Sequence, residues 1–273
     1  SSASLIAFVP TSFKILPSIE RATTPMKTSC RSSWLSSSKL PRPSAANAAI
    51  EITLTAGDLT LQDDITANGS GTVTLAVLGA DASLITGDTN DDIASTSGAI
   101  SITADRLALV TGTISSSGAL TLQPNATDRS VGVSGGSGDF ALSTAEIDLL
   151  TNGFSSITIG ASGGSGAIDI NAITFNDPVT IRGGAMVVTA LQAGANNITL
   201  TSDSTIDEDV DNTTVDITTS GTLSLTAEGA IGASGGGNNP LDLTVGTLVA
   251  TTDDGGIFLL ESSALIIGGT GVQ

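Results

Sequence analysis

Residues 119–181 read ALTLQPNATDRSVGVSGGSGDFALSTAEIDLLTNGFSSITIGASGGSGAIDINAITFNDPVTI, and this stretch decides the fold. Short segments of alternating apolar and polar residues begin at Leu120, Ile157 and Val179, and Gly, Ser and Asn separate them. Such alternation places apolar side chains on one face of a β-strand and polar side chains on the other. The stretch therefore predicts short strands that are buried on one side and joined by tight turns.

The same apolar–any–apolar triplet recurs through residues 47–273. The intervals between successive triplets run from 16 to 27 residues, with a mean of 20.5. The triplets begin at Ile52, Val73, Ile100, Leu120, Phe140, Ile157, Val179, Ile198, Leu223, Leu241 and Ile257. A repeat of this length indicates stacked supersecondary units. A leucine-rich repeat would place a fixed Asn or Cys after each strand, and this sequence has none. We therefore predict an all-β fold, a right-handed parallel β-helix (solenoid) of about ten to eleven coils.

Residues 1–46 differ sharply in composition from the rest. They hold twelve Ser and five Pro but no Gly and no Asp, and six of the nine basic residues lie there. A Ser-rich, basic and acid-poor segment is typical of a plastid transit peptide, or of a chain that cannot build a core. We predict a disordered or non-native leader over residues 1–46 and a β-helix repeat region over residues 47–273.

The repeat region is strongly acidic, with 26 Asp and Glu against three Arg. This balance excludes a nucleic-acid partner, because such binding depends on Lys and Arg at the phosphates. The chain has no His, and Cys30 is its single cysteine, so no intramolecular disulfide can form.

Two local motifs have structural interpretations. Ser143–Glu146 matches a capping box and predicts a short helix over residues 144–151. The glycine runs at 135–138, 163–166 and 235–237 lack the Lys of a phosphate-binding loop. They also lack the nine-residue spacing of a calcium β-roll. We interpret them as coil corners that need positive φ.

Two acidic loops are the candidates for cation binding. Their ligand residues are Asp88, Asn90, Asp92, Asp207, Asp209 and Asp211. The first loop also contains Asp91, the second also contains Asp203 and Glu208, and Asp253 and Asp254 form a third acidic cluster. Calcium takes six to eight oxygen ligands from flexible carboxylates of this kind. The first loop lacks the Gly and the bidentate Glu of an EF-hand. We interpret both loops as solvated connections between strands, with calcium as the alternative and no other cofactor expected.

The composition argues against catalysis. The repeat region has no Lys, Tyr or His, and its adjacent acids, such as Asp63 and Asp64, point to opposite faces of a strand. A hydrolytic carboxylate pair must face one bond at a set separation. We therefore predict that the chain is not an enzyme and keep a polysaccharide-active β-helix only as the third hypothesis.

Several segments resemble the repeat shaft of filamentous-haemagglutinin-like bacterial exoproteins. They are GALTLQP (118–124), GDFALSTAE (138–146), NGFSSITIG (152–160) and FNDPVTI (175–181). The resemblance implies a β-helical adhesin, export through an outer-membrane transporter, and a secreted or outer-surface location. The secretion domain and the membrane barrel of such proteins are not visible, so we expect an internal repeat region.

These observations give one leading hypothesis for function. The chain is expected to be a structural shaft segment of an adhesin-like exoprotein that presents binding regions away from the cell. Its expected partners are other repeats of the same long chain, a host or neighbouring-cell surface, and the transporter during export. The alternative is a calcium- or glycan-binding surface module.

Overall fold

Short parallel strands make up nearly all of the regular structure. The computed structural model describes residues 46–87, 91–209, 214–234 and 240–273, and the backbone of one further strand at 26–30. The strands are β1 (Met26–Cys30), β2 (Ile50–Leu54), β3 (Leu59–Leu61), β4 (Ile65–Ala67), β5 (Val73–Val77), β6 (Ser83–Thr86), β7 (Ile93–Ser95), β8 (Ile100–Thr103), β9 (Arg106–Leu109), β10 (Ile114–Ser115), β11 (Ala119–Gln123), β12 (Val131–Val133), β13 (Phe140–Leu142), β14 (Ser156–Ile159), β15 (Ile168–Ile170), β16 (Ile173–Thr174), β17 (Val179–Gly183), β18 (Met186–Val188), β19 (Leu191–Gln192), β20 (Ile198–Ser202), β21 (Ile206–Glu208), β22 (Ile217–Ala227), β23 (Leu241–Thr252), β24 (Leu259–Glu261) and β25 (Ile266–Val272). The helix α1 (Thr144–Ile147) lies between β13 and β14.

The strands stack into a parallel β-solenoid of about nine turns. One continuous stack runs β2-β5-β8-β11-β14-β17-β20-β22-β23, and β25 pairs with β23 at its end. A second group contains β3-β6-β9 and β13-β12-β15-β18-β21, and a third contains β4-β7-β10 and β16-β19. The first halves of β22 and β23 continue the third group, because they pair with β19 and β24. The predicted all-β solenoid is confirmed.

Aligned aliphatic side chains fill the interior. In the long stack, Leu122 pairs with Ile159, which pairs with Ile181, and all three are fully buried. Among the described residues, the buried aromatics are Phe140, Phe154 and Phe175. Truncating one such Leu to Ala costs roughly 2–5 kcal/mol, so the core depends on this alignment.

The stretch that decides the fold also contains its main irregularity, which we call the step-back (residues 131–150). β13 pairs in parallel with β12, on the side opposite β15, so the chain reverses along the solenoid axis before advancing again. Parallel neighbours normally need a crossover of about a dozen residues or more, but residues 134–139 alone make this one. The short path requires Gly132 and Gly138, because a Cβ on either would overlap the backbone of the other segment.

The step-back changes two expectations from the sequence. Phe140 begins no coil of its own, since β13 belongs to the same turn as β12. Leu241 and Ile257 also begin no coil, because neither aligns with the strands of the long stack. The structure therefore has fewer turns than the triplet count predicts. The helix keeps the predicted capping box but ends at Ile147, because Leu150 forms a bridge with Ile114.

Buried hydroxyls join successive coils at their corners. Ser95 Oγ donates to the Gly71 carbonyl (2.7 Å) and accepts from the Gly98 N–H (2.9 Å). Ser116 repeats the arrangement one coil later with Gly98 and Gly118. Among the glycine runs, Gly135 and Gly163 have the expected positive φ, 80° and 65°, and residues 235–237 lie outside the described part of the chain.

The first strand lies in the segment that the sequence assigns to the leader. β1 pairs in parallel with β2 along five residues, so residues 26–30 add a strand before the first coil.

Candidate functional site

The first predicted acidic loop is only partly described. Asp88 and Asn90 lie outside the described residues. Asp92 Oδ1 accepts hydrogen bonds from the Thr113 N–H (2.6 Å) and the Thr113 hydroxyl (2.9 Å), while the Asp92 N–H donates to Asp64 (3.1 Å). Thr113 and Asp64 lie on the coils either side, so this carboxylate links neighbouring coils.

The second predicted loop begins at β21. Asp207 accepts a hydrogen bond from the Glu208 N–H (3.0 Å), and Asp209 accepts a long one from Thr189 (3.5 Å). Asp211 lies outside the described residues. The predicted cation ligands of this loop therefore stay a prediction.

Glu208 occupies a position that other coils fill with an aliphatic residue. Its register partner is Val188, which pairs with Ile170, which pairs with Val133. All three aliphatic partners have no solvent exposure. A carboxylate thus replaces an interior side chain in this column.

Two buried aspartates lie close to Glu208. Asp216 immediately precedes β22, and Asp242 lies on the next coil, where its N–H donates to Asp216 Oδ2 (2.8 Å). Each of the three residues offers a carboxylate oxygen, and these oxygens lie within 4.8 Å of one another. Asp216 is 2% exposed and Asp242 is 5% exposed. We call Glu208, Asp216 and Asp242 the acid cluster.

The acid cluster is electrostatically unfavourable when fully ionised. The pKa of Asp216 is raised to about 7, mainly by burial; the charges of Glu208, Asp242 and Asp207 contribute to the rise, and the hydrogen bond from the Asp242 N–H opposes it. Burial also raises the pKa of Asp242. Residues 183–273 contain eleven acids and no Lys, Arg or His, so that part of the chain supplies no side-chain counter-ion.

A second charged group shows the opposite arrangement. Arg129 donates to Asp81 (2.8 Å) and to Asp105 (3.2 Å), and Asp105 is 1% exposed. The remaining bonds to the Asp105 carboxylate come from the Asp81 and Ala126 N–H groups. Hydrogen bonding to Arg129 lowers the pKa of Asp81. We call Arg129, Asp81 and Asp105 the arginine clasp, and its paired charges join three coils.

A shallow cleft of about 120 Å³ lies beside the step-back. Two acids, Asp148 and Asp177, line it. Asp177 is buried and accepts hydrogen bonds from the Gly153 and Phe154 N–H groups, so it holds the loop in place. The cleft therefore does not present two uncommitted carboxylates to one bond.

The sequence places Glu208 in the second acidic loop but does not indicate that Asp216 and Asp242 lie beside it. One signal was present: Ile206–Glu208 aligns with Met186–Val188, and Glu replaces the second apolar residue of the triplet. The approach of Asp216 and Asp242 depends on the pairing of coils separated by 26 residues, which the local sequence does not give.

No helix in the described ranges has the length and apolarity to cross a membrane. Comparison with known proteins finds no family model, no curated sequence and no solved structure that matches the chain.

Proposed function

We propose that residues 47–273 are a structural shaft segment of a secreted or surface-anchored adhesin-like exoprotein. The observation that supports this proposal is the stack of about nine parallel turns around one aliphatic core. The proposed location at the cell surface is based on the resemblance of segments such as 118–124 and 175–181 to exoprotein repeats.

The architecture suits a spacer because each coil adds a fixed length. Adjacent strands are about 4.8 Å apart, so about nine turns extend roughly 43 Å along the axis. Each coil contacts mainly its neighbours, so turns can be added or removed without a new core. Further repeats of the same chain would continue the stack and carry a binding region outward.

The acidic surface fits an extended position outside a cell. The repeat region carries 26 acids and three Arg, and this excess keeps neighbouring rods apart in solution. In this proposal the chain has no catalytic role, its surface partner is a host or neighbouring cell, and an outer-membrane transporter exports it.

The location is tested on the source cells. An antibody against residues 47–273 is expected to label intact cells, and external protease is expected to remove the label. Labelling that requires permeabilised cells would contradict the proposal.

The spacer role is tested by deleting one coil from the full-length natural chain. Removing residues 179–197 deletes β17, β18 and β19 and places Ile198 beside Ile157, two residues that occupy the same position in the stack. A shaft keeps surface display and cell adhesion after this deletion. Complete loss of adhesion with display unchanged would show that these coils bind the partner themselves.

A further inference from the structure

We propose that the acid cluster is a binding site for one Ca²⁺ ion, which would connect two successive coils. The site takes Glu208 from the second acidic loop that the sequence indicates but adds Asp216 and Asp242 from outside both loops, and it goes beyond the shaft role.

The geometry of the oxygens suits a single ion. Three points no more than 4.8 Å apart have a common point within about 2.8 Å of each (4.8 Å divided by √3). Calcium–oxygen distances are about 2.3–2.6 Å. Small side-chain rotations would therefore bring all three oxygens to bonding distance.

Asp242 is the member of the cluster whose carboxylate lacks a hydrogen-bond donor. Its residue is 5% exposed, and in the described part of the chain no N–H or O–H group donates to its carboxylate. Its carboxylate oxygen nevertheless lies within 4.8 Å of the oxygens of Glu208 and Asp216. A buried carboxylate without a donor is costly unless an opposite charge compensates it.

The described part of the repeat region offers no such charge nearby. Each Arg of the repeat region is already engaged elsewhere in the solenoid: Arg106 and Arg129 contact Asp81, and Arg182 donates to the Gly160 carbonyl. No basic residue follows Arg182 in the sequence. Among the described residues no side chain supplies the compensating charge, so we take solution as its source, in the form of protons or a cation.

The ligand set favours Ca²⁺ over Mg²⁺. Mg²⁺ requires near-ideal octahedral geometry at about 2.0–2.1 Å, whereas Ca²⁺ accepts irregular sets of oxygens. The three carboxylates come from three separate segments, so their oxygens form an irregular set of ligands. When ionised, they carry more negative charge than the ion carries positive charge. Water would complete the coordination shell.

The test is calorimetric titration of the full chain with CaCl₂ at pH 8, after treatment with EGTA and desalting. We expect saturable binding of one Ca²⁺ to the cluster and at least tenfold weaker binding of Mg²⁺. Asp216→Asn and Asp242→Asn should each weaken the binding at least tenfold. The matched control is Asp253→Asn, because Asp253 is exposed and lies in the same third of the chain; it should bind as the parent does.

A loss of binding can be separated from a loss of folding. In Asp216→Asn the side-chain oxygen can still accept the hydrogen bond from the Asp242 N–H. Circular dichroism in EGTA checks that each variant is folded. Absence of saturable binding would overturn the proposal and leave protons as the compensating charge. Binding that survives both Asn variants but is lost in Asp92→Asn would overturn it in favour of the first acidic loop. Equal affinity for Mg²⁺ would overturn the choice of Ca²⁺.

Discussion

Replacing Arg129 by Met removes the one cation of the arginine clasp while keeping most of the buried stem. Asp105 is 1% exposed and would lose the Arg129 bond at 3.2 Å. Removing one partner of a buried ion pair typically costs about 3–5 kcal/mol. Asp105 keeps its two backbone N–H donors in the variant. The Asp81 side chain is 65% exposed, so its ion pair with Arg129 contributes little. The lower end of this range of free energies therefore applies. We expect a loss of about 3 kcal/mol in the free energy of unfolding.

The assay is urea unfolding at pH 7, followed by circular dichroism, of the parent, Arg129→Met, Asp105→Asn and the double variant. The coupling energy between the two sites should be about 2 kcal/mol. The control is Arg106→Met, because that side chain is 52% exposed and lies 3.5 Å from Asp81; it should change stability by less than about 0.5 kcal/mol. A coupling energy near zero would refute the reasoning that a buried pair joins these coils.

Three further perturbations test other parts of the structure. In EGTA, the free energy of unfolding should fall by roughly 4 kcal/mol as pH rises from about 4 to about 7, because Asp216 loses its proton near pH 4 in the unfolded chain and near pH 7 in the folded chain. Asp216→Asn should greatly reduce this pH dependence in urea unfolding. Gly132→Ala should lower the free energy of unfolding by about 2 kcal/mol or more, because the added Cβ overlaps the backbone of residues 136–137. Gly87→Ala has open space around its Cβ and should change the free energy of unfolding by less than about 0.5 kcal/mol in the same assay. Leu122→Ala should cost about 2–5 kcal/mol and lower the melting temperature, whereas Thr121→Ala on the outer face should have a small effect; similar losses would contradict the assigned faces.

The sequence predicts much of this fold because a solenoid repeats its local signals. The alternation at Leu120, Ile157 and Val179 marks strands that do pair in adjacent coils, and the capping box at Ser143 does begin the helix. Each of these features depends on residues close together in the chain. Local pattern is therefore sufficient for them.

The step-back and the acid cluster depend instead on pairing between distant segments. Phe140 carries the same triplet signal as Leu120, and only its pairing with Val131 shows that the chain has reversed. Glu208 interrupts the apolar triplet, but its distance from Asp242 follows from the stacking of two coils. The connections between coils vary in length, so the sequence alone does not determine which residues of distant segments pair.

The register of the solenoid across the step-back is the central claim, and a disulfide cross-link tests it most directly. In a Cys30→Ser background, cysteines are placed at Thr121 and Thr158, which are Cα partners on adjacent coils, or at Thr121 and Ala141. Cysteine pairs form a bridge when their Cα atoms are roughly 4.4–6.8 Å apart. We predict that mild oxidation links residues 121 and 158 and leaves 121 and 141 free. Efficient bridging of 121 to 141 instead would show that Phe140 begins its own coil and would contradict the account.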